Sequence, residues 1–479
     1  MMKYHKLWGQ CVACIFLSVS GHSAFASGLL VPDSELRDDL AWLADRGVIH
    51  LSTSTWPLSQ EEVERELKRA RPEFASELVV LARVDHRLAV LRTGLLARGH
   101  SLSGGSGTPH GFAATAYARQ SASLIVSAGT DNLDLHLQGN VEGNMQVSNG
   151  SRYNLNGSYG AVLAGNQWLA FGQIPQWWGP GNEGSLIRSD AARPVTGFLL
   201  QRAEQTAPDT WWMRWTGPWQ YQLSAGQLSQ YTAVPHTLLT GGRLTLSPWS
   251  SLELGTSRMM MWGGEGRSES LSTFWDGVTG KDNTGSENEP GDQLAGFDFT
   301  FRLEPTLGWP VSLYAQMIGE DEAGLMPSAG MYLGGIEGHH SAGKNAVNWY
   351  LEAHDTRSGM SRTGYIYTHH IYTDGYYQQG APLGDAMGGD GRLLAARTEL
   401  VAENGQRWSA RVVYARVNPE SEEINQDFPD ADTLKGIQLS WSGDIYRSVR
   451  LTAGVWYTAS QHDDSDAGIG AGVEIPLDL

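Results

Sequence analysis

The stretch Phe297-Asp298-Phe299-Thr300-Phe301-Arg302-Leu303-Glu304 puts an apolar residue at every odd position and a polar or charged one at every even position. Side chains of a strand point alternately to its two faces, so this segment has one greasy and one wet face. The same period of two recurs at Leu133/Leu135/Leu137, Trp219/Tyr221/Leu223, Val347/Trp349/Leu351, Ile437/Leu439/Trp441 and Val449/Leu451/Ala453/Val455. A soluble sandwich also alternates. Three further features favour a closed barrel in a membrane. Asp298, Arg302, Glu304, Glu352 and Arg411 stand on the non-greasy face, where a dry core would reject charge and a wet lumen would not. Trp168, Trp211, Trp219, Trp249, Trp309, Trp349, Trp408, Trp441 and Trp456 fall near strand ends, as interfacial girdles require. Val473, Ile475, Leu477 and Leu479 read as a last strand of the same kind.

Composition agrees with this pattern. The 479 residues include 18 Trp and 58 Gly, only 18% are charged, and yet mean hydropathy is −0.31. Beyond the first thirty positions no run approaches the ~20 apolar residues of a membrane helix, which a β-barrel does not need. Lys3 and Lys6, the apolar stretch from Leu7 to Val19 and Ala24-Phe25-Ala26 predict an export leader over 1–26, cleaved before Ser27. Both cysteines, Cys11 and Cys14, fall in that leader. Loss of Lys3 and Lys6 would take the formal charge from −18 to −20, which makes nucleic acid an improbable partner. After the helical segment below, some 375 residues remain, read as the barrel over 105–479; at roughly twenty per strand with its share of loops this predicts about eighteen strands, all antiparallel.

Residues 27–104 read differently. Asp33-Ser34 offers an N-cap, Leu36, Leu40 and Leu43 follow at helical spacing, and Gly47 is placed to end the helix. Ser59-Gln60-Glu61-Glu62 reads as a capping box opening a second helix that stops before Pro72. Leu81, Val84, Leu88, Leu91 and Leu95 define a third. Ten basic and twelve acidic residues between Ser27 and His100 give no polybasic face for lipid headgroups. The module reads as a periplasmic bundle docked on the barrel, or as a free three-helix domain on a linker.

Several runs resemble the capsule assembly protein Wzi family. They are Gly28-Leu29-Leu30-Val31 with Leu36-Arg37-Asp38-Asp39-Leu40-Ala41-Trp42-Leu43, Ser54-Thr55-Trp56-Pro57-Leu58-Ser59, and Gln173-Ile174-Pro175-Gln176-Trp177-Trp178-Gly179-Pro180-Gly181. Met261-Trp262-Gly263-Gly264-Glu265-Gly266-Arg267 and the run from Tyr367 through His369-His370 to Gly380 are further matches. The likeness runs from about Gly28 to Leu479, although Leu479 stands where such barrels usually end on an aromatic. It implies an outer-membrane barrel of eighteen strands with an N-terminal α-helical bundle at its periplasmic end. The implied role is that of a lectin holding capsular polysaccharide at the cell surface, neither export channel nor enzyme. A diffusion channel for oligosaccharide or polysaccharide is the alternative that a barrel of this size leaves open.

A polysaccharide site needs flat apolar faces for pyranose rings, polar groups for hydroxyls and Arg or Lys for uronic acids. Three segments supply these. The first carries Trp177 and Trp178 beside Arg188, Arg193 and Arg202; the second Trp262, Arg267 and Trp275; the third His370, Tyr372, Tyr376 and Tyr377. Paired Trp serve equally as girdle anchors, and Gly-rich aromatic runs also fold inward to plug a barrel. An acidic glycan suits the basic excess of the first segment. Outer-membrane lipid, lipopolysaccharide and the capsule export machinery are the other expected partners. No cofactor and no metal is expected: no G-x-S-x-G or H-E-x-x-H spacing occurs, His339-His340 and His369-His370 read as hydrogen-bonded or solvated pairs, and Lys281–Asp292, whose Asp and Asn content could suit Ca²⁺, lacks the EF-hand loop pattern and reads as a solvated loop.

Overall fold

The computed structural model describes residues 28–478 apart from 106, 147–149, 280–288, 324–325, 358–365, 422–423, 426, 447 and 463. The expected export leader lies outside the described residues. Eighteen antiparallel strands close into a barrel: β1 Leu95–Gly104, β2 Ala118–Thr130, β3 Leu133–Met145, β4 Tyr159–Leu163, β5 Gln167–Gln173, β6 Thr196–Arg202, β7 Trp219–Gln227, β8 Leu238–Trp249 and β9 Leu252–Trp262 form its first half. β10 Gly291–Arg302, β11 Val311–Ala323, β12 Met326–Ala342, β13 Asn345–Asp355, β14 Gly391–Val401, β15 Arg407–Val417, β16 Asp432–Tyr446, β17 Val449–Ala459 and β18 Asp466–Pro476 complete it. β18 returns to β1, with Gly468 opposite Gly104 and Pro476 opposite Leu96. Tyr153–Asn154 is a short addition on β3, not a wall strand.

Most connections alternate in length, 203–218 being a long one at the short-turn end. Residues 131–132, 164–166, 250–251 and 343–344 make short turns at the end where β1 begins and β18 finishes, whereas 105–117, 174–195, 263–290, 356–390 and 418–431 leave the other end. Short turns are periplasmic and long loops extracellular in such barrels. The expected greasy faces look outward: Leu133, Phe297, Leu351, Ile437 and Val455 are exposed on the wall. Trp211, Trp249, Trp309 and Trp408 form the periplasmic aromatic belt. Trp168 and Trp456 do not belong to a girdle. Trp168 is fully buried on the inner face and gives Nε1 to Glu61 at 3.1 Å; Trp456 shares the inward phase of Arg450 and Thr458.

The wet face meets protein rather than open water. Helices α1 Ser34–Asp45, α2 Gln60–Arg69 and α3 Ala75–Leu91 plug the periplasmic half of the lumen, so the module is docked and not tethered. Asp33 caps α1 through the Leu36 amide (2.9 Å), and Gly47 leaves the helix at φ +69°. The capping box does not form. Ser59 Oγ turns to Glu61 (2.5 Å), and Glu62 instead takes Arg65 and the Gln205 amide. The third helix ends at Leu91, and Leu95 opens β1, so the sheet begins ten residues before the 104/105 boundary; Leu95 continues the leucine spacing of α3 and so resembles another helical turn. Ion pairs fasten the module to the wall: Arg407 to Asp39 (2.7 Å) and Glu399 (3.1 Å), Arg302 to Asp45 (3.1 Å), and Arg397 to Asp38 (3.1 Å). Asp45 also meets His339 Nδ1 at 2.8 Å.

Candidate functional site

Segments 174–195, 228–237 and 366–390 of the extracellular loops fold back into the lumen as a second plug, and the two plugs meet. Trp177 and Trp178 pair antiparallel with Trp56 and Thr55 of the segment between α1 and α2, while Phe112 packs between Trp56 and Trp177 with centroids 5.3 and 5.1 Å away. Arg37 of α1 gives Nη2 to the Pro180 and Gly181 carbonyls, both at 2.8 Å. Trp178 then enters an apolar cluster with Leu186, Ile187, Tyr367, Tyr372, Tyr376 and Tyr377. Buried tyrosines keep their hydroxyls satisfied on backbone: Tyr372 donates to Gly263 O (3.1 Å), Tyr376 to Ile187 O (2.7 Å) and Tyr367 to Leu186 O (2.5 Å).

This arrangement sorts the eleven candidate residues into three groups. Trp177, Trp178, Tyr372, Tyr376 and Tyr377 are at most 2% exposed and have no face to offer a sugar. Arg188 and Arg193 are buried too: Arg193 is spent on Glu142 (2.6 Å), whereas Arg188 Nε and Nη1 have no partner among the described residues, and burial pulls its pKa down. Trp262 and Trp275 look away from the lumen, on the outer wall and on a helix against it. Arg267 and His370 alone remain near the crown surface. Arg267 lies 5.5 Å over the Tyr372 ring, and His370 is beside Glu289 (3.5 Å). Glu289, His369 and His370 converge within 4.8 Å, close enough to invite a metal reading. However, His369 Nδ1 accepts from the Ile371 and Tyr372 amides (3.1 and 3.3 Å), so the proton resides on Nε2, which faces Glu289. The ring is a hydrogen-bond bridge in that tautomer. Residues 281–288 of the acidic stretch lie outside the described ones.

Space for a ligand exists elsewhere. A cavity of about 500 Å³ remains between the joined plugs and the inner faces of β1, β2 and β14–β17, with Ser34, Arg37 and Asp38 of α1 at its periplasmic end and Gly105, Arg119 and Gln146 at its extracellular end. Trp456 lies along one side, packed so closely on Gly468 that a Cβ there would collide with the ring. Its Nε1 is shielded from solvent and has no hydrogen-bond partner among the described residues. Ser409, Gln438, Ser440 and Thr452 add small polar groups. Four Arg line the cavity against Asp38 and Glu183. Arg397 is paired with Asp38 and Arg411 with Glu183 (2.5 Å). Arg37 and Arg119 have no carboxylate partner among the described residues and bond backbone carbonyls instead, which leaves an excess of two positive charges. Burial and the neighbouring Arg411 push His110 down to about 4, so it lines the cavity as a neutral ring at pH 7. Burial works against the charge of Glu183, yet Arg411 keeps its pKa below the ordinary value.

None of these cavity residues was among the sequence candidates. The available signal was strand phase: Trp456 alternates with the outward Val455 and Tyr457, which places it inward with Thr452 and Thr458.

Fold and site together define an outer-membrane β-barrel whose lumen is filled from the periplasmic end by the helical module and from the extracellular end by inward-folded loops, around a polar, cationic cavity. The sequence profile of the family described as capsule assembly protein Wzi matches residues 99–473, and the chain belongs to that family. Among solved structures it is similar to Wzi of Escherichia coli, described as an outer membrane protein involved in group 1 capsule assembly and a carbohydrate-binding β-barrel. The two share 64% identity with a TM-score of 0.90, over 94% of this chain and 100% of the other. A Klebsiella pneumoniae relative, described as an uncharacterized 55.8 kDa protein in the cps region, is 64% identical over 464 residues, 97% of this chain and 92% of its own.

Proposed function

We propose that this protein is an outer-membrane lectin that binds capsular polysaccharide and holds it at the cell surface. The observation that carries the reading is the cavity beneath the crown: an indole beside small hydroxyl and amide side chains, with two guanidinium groups free of carboxylate partners among the described residues. An aromatic face suits the C–H face of a pyranose, and unpaired guanidinium suits a uronic acid. The family supports the same reading, since its E. coli member is described as carbohydrate-binding. Because α1 lies at the periplasmic end of the cavity, a saccharide enters from the crown and goes no further. It therefore takes a chain end or a side branch, while Arg267 and His370 meet polymer passing above. Trp177, Trp178, Arg188, Arg193, Tyr372, Tyr376 and Tyr377 act as positioning residues that hold the crown, and Trp262 and Trp275 serve the lipid side. The plug argues against a diffusion channel, and the protein acts by binding rather than turnover. The helical module faces the periplasm, where it could meet the capsule export machinery.

Purified protein in detergent should bind acidic capsular polymer, and deletion of the gene should release polymer from cells. Absence of binding together with full encapsulation after deletion would overturn the proposal. Conductance steps from the unaltered protein in planar bilayers would favour a channel instead.

A further inference from the structure

The extracellular loop after β9 carries a helix, α4 Leu271–Val278, that packs on the outside of the barrel. Met259 and Met261 enter the lumen core, so Arg258, Met260 and Trp262 point outward. The C-terminus of α4 is tied to these residues. Arg258 donates to the carbonyls of Val278 (2.8 Å) and Gly277 (3.1 Å) and through Nε to Gln293 (2.7 Å), while Gln293 donates to Gly277 O (2.6 Å). The carbonyl end of a helix favours a cation, so α4 meets a charge that would otherwise face lipid bare. Gly277 permits the approach: a Cβ there would fall 2.5 Å from Met260 Sδ. Trp262 and Phe274 pack at 5.4 Å.

Height along the wall decides what surrounds α4. Trp249, in the periplasmic belt, pairs with Leu252 at the start of β9. At ~3.3 Å per residue and a ~40° tilt, Arg258 stands ~15 Å and Trp262 ~25 Å above that level, within and at the top of an apolar band ~25 Å tall. The far side of α4 exposes Leu271 (78%) and Trp275 (58%), two large apolar residues that water would disfavour and lipid would not. Between α4 and the wall runs a groove of about 420 Å³, lined mainly by Phe198, Leu200, Leu223, Gly242, Phe274 and Val278. Its shape depends on Gly242, where a Cβ would meet Leu223 at 2.9 Å.

We propose that this groove binds an acyl chain of the outer-leaflet glycolipid, with α4 lying in the outer leaflet as its lid. The apolar lining, the opening toward the lipid-facing wall and the depth of α4 all point to that occupant. The site is separate from the saccharide cavity and does not depend on it. A consequence reaches the crown: Arg267, in the same loop, donates to Glu289 O and lies over Tyr372, so lipid held under α4 steadies the extracellular plug.

Cys11 and Cys14 are the only natural cysteines, so residue 27 onward accepts single labels cleanly. A nitroxide at Trp275→Cys, in liposomes containing lipid A, should collide with oxygen more often than with a water-soluble nickel chelate; a label at Gln461→Cys in another extracellular loop should show the reverse. Native mass spectrometry of protein extracted from outer membranes should find one acylated glycolipid on the unaltered chain, and at least tenfold less on Gly242→Phe and on Ala225→Phe, whose side chains would fill the groove. Each variant must keep the heat-dependent gel shift of a folded barrel, and either one suffices. Nickel-dominated collisions at 275, equal glycolipid on parent and variants including none on both, or phospholipid in its place would overturn the proposal.

Discussion

Replacing Arg407 by Ala should loosen the periplasmic seal without opening the barrel wall. The guanidinium is 5% exposed and joins Asp39 of α1 (2.7 Å) to Glu399 of β14 (3.1 Å), so it links plug to wall directly. Removing one member of a buried ion pair costs about 3–5 kcal/mol, mostly because the other charge is left stranded. Here neither carboxylate is stranded. Asp39 keeps Arg83 at 2.7 Å, and Glu399 keeps Arg397 at 2.8 Å and the Asn348 amide at 3.0 Å. The expected loss is therefore smaller, about 2–3 kcal/mol, which multiplies the undocked fraction roughly 30- to 160-fold. Amide hydrogen exchange in micelles reads this directly: α1 and α3 should exchange faster by that factor, while β14 to β17 stay protected. Arg407→Lys, which keeps the charge but loses the fork, should lie between. Unchanged exchange in α1, or equal acceleration in the wall strands, would refute the view that this pair fastens the module.

Three other outcomes follow from the same geometry. Trp456→Ala should weaken oligosaccharide binding about tenfold, the worth of one ring face stacked on indole, with the gel shift intact; unchanged affinity by titration calorimetry would remove the cavity from the site. Trp178→Ala should cost ~3–5 kcal/mol of plug stability as a core cavity, so polymer loss should come with faster proteolysis of residues 174–195; polymer loss with an unaltered plug would make Trp178 a contact residue instead. Asp190 keeps slight solvent exposure, yet burial pushes its pKa up to about 7 from the ordinary 3.8. Its contribution to stability is complete below pH 3.8 and lost as pH rises through about 7, so this loop should open more at pH 8 than at pH 6, and Asp190→Asn should flatten the difference in intrinsic-rate-corrected exchange.

Most of what depends on local period is legible in the sequence, Leu95 being an exception because it continues the leucine spacing of α3 into a strand. Phe297, Phe299 and Phe301 announce a strand with one lipid face, Leu36, Leu40 and Leu43 a helix with one buried stripe, and chain length alone fixes the strand number near eighteen. Asp298, Arg302 and Arg411 were legible as lumen residues because charge on a strand needs water or a partner. Their partners were not, since Arg243, Asp45 and Glu183 lie 55, 257 and 228 residues away. The same limit governs the site. An indole lowers its free energy equally well against lipid, a sugar or another loop, so composition cannot tell Trp275 on the outer wall from Trp178 in the plug or Trp456 in the cavity. Strand phase separates the last of these from the girdle, because a residue two from Thr458 and between Val455 and Tyr457 must face inward. No comparable rule exists for 174–195, where Gly179 and Gly181 allow the chain to fold back and the direction is set by what waits in the lumen. That is Trp56 and Arg37 of the helical module. The extracellular crown is therefore shaped partly by residues of the helical module at the periplasmic end, and a change in α1 can alter the face that the barrel presents outside the cell.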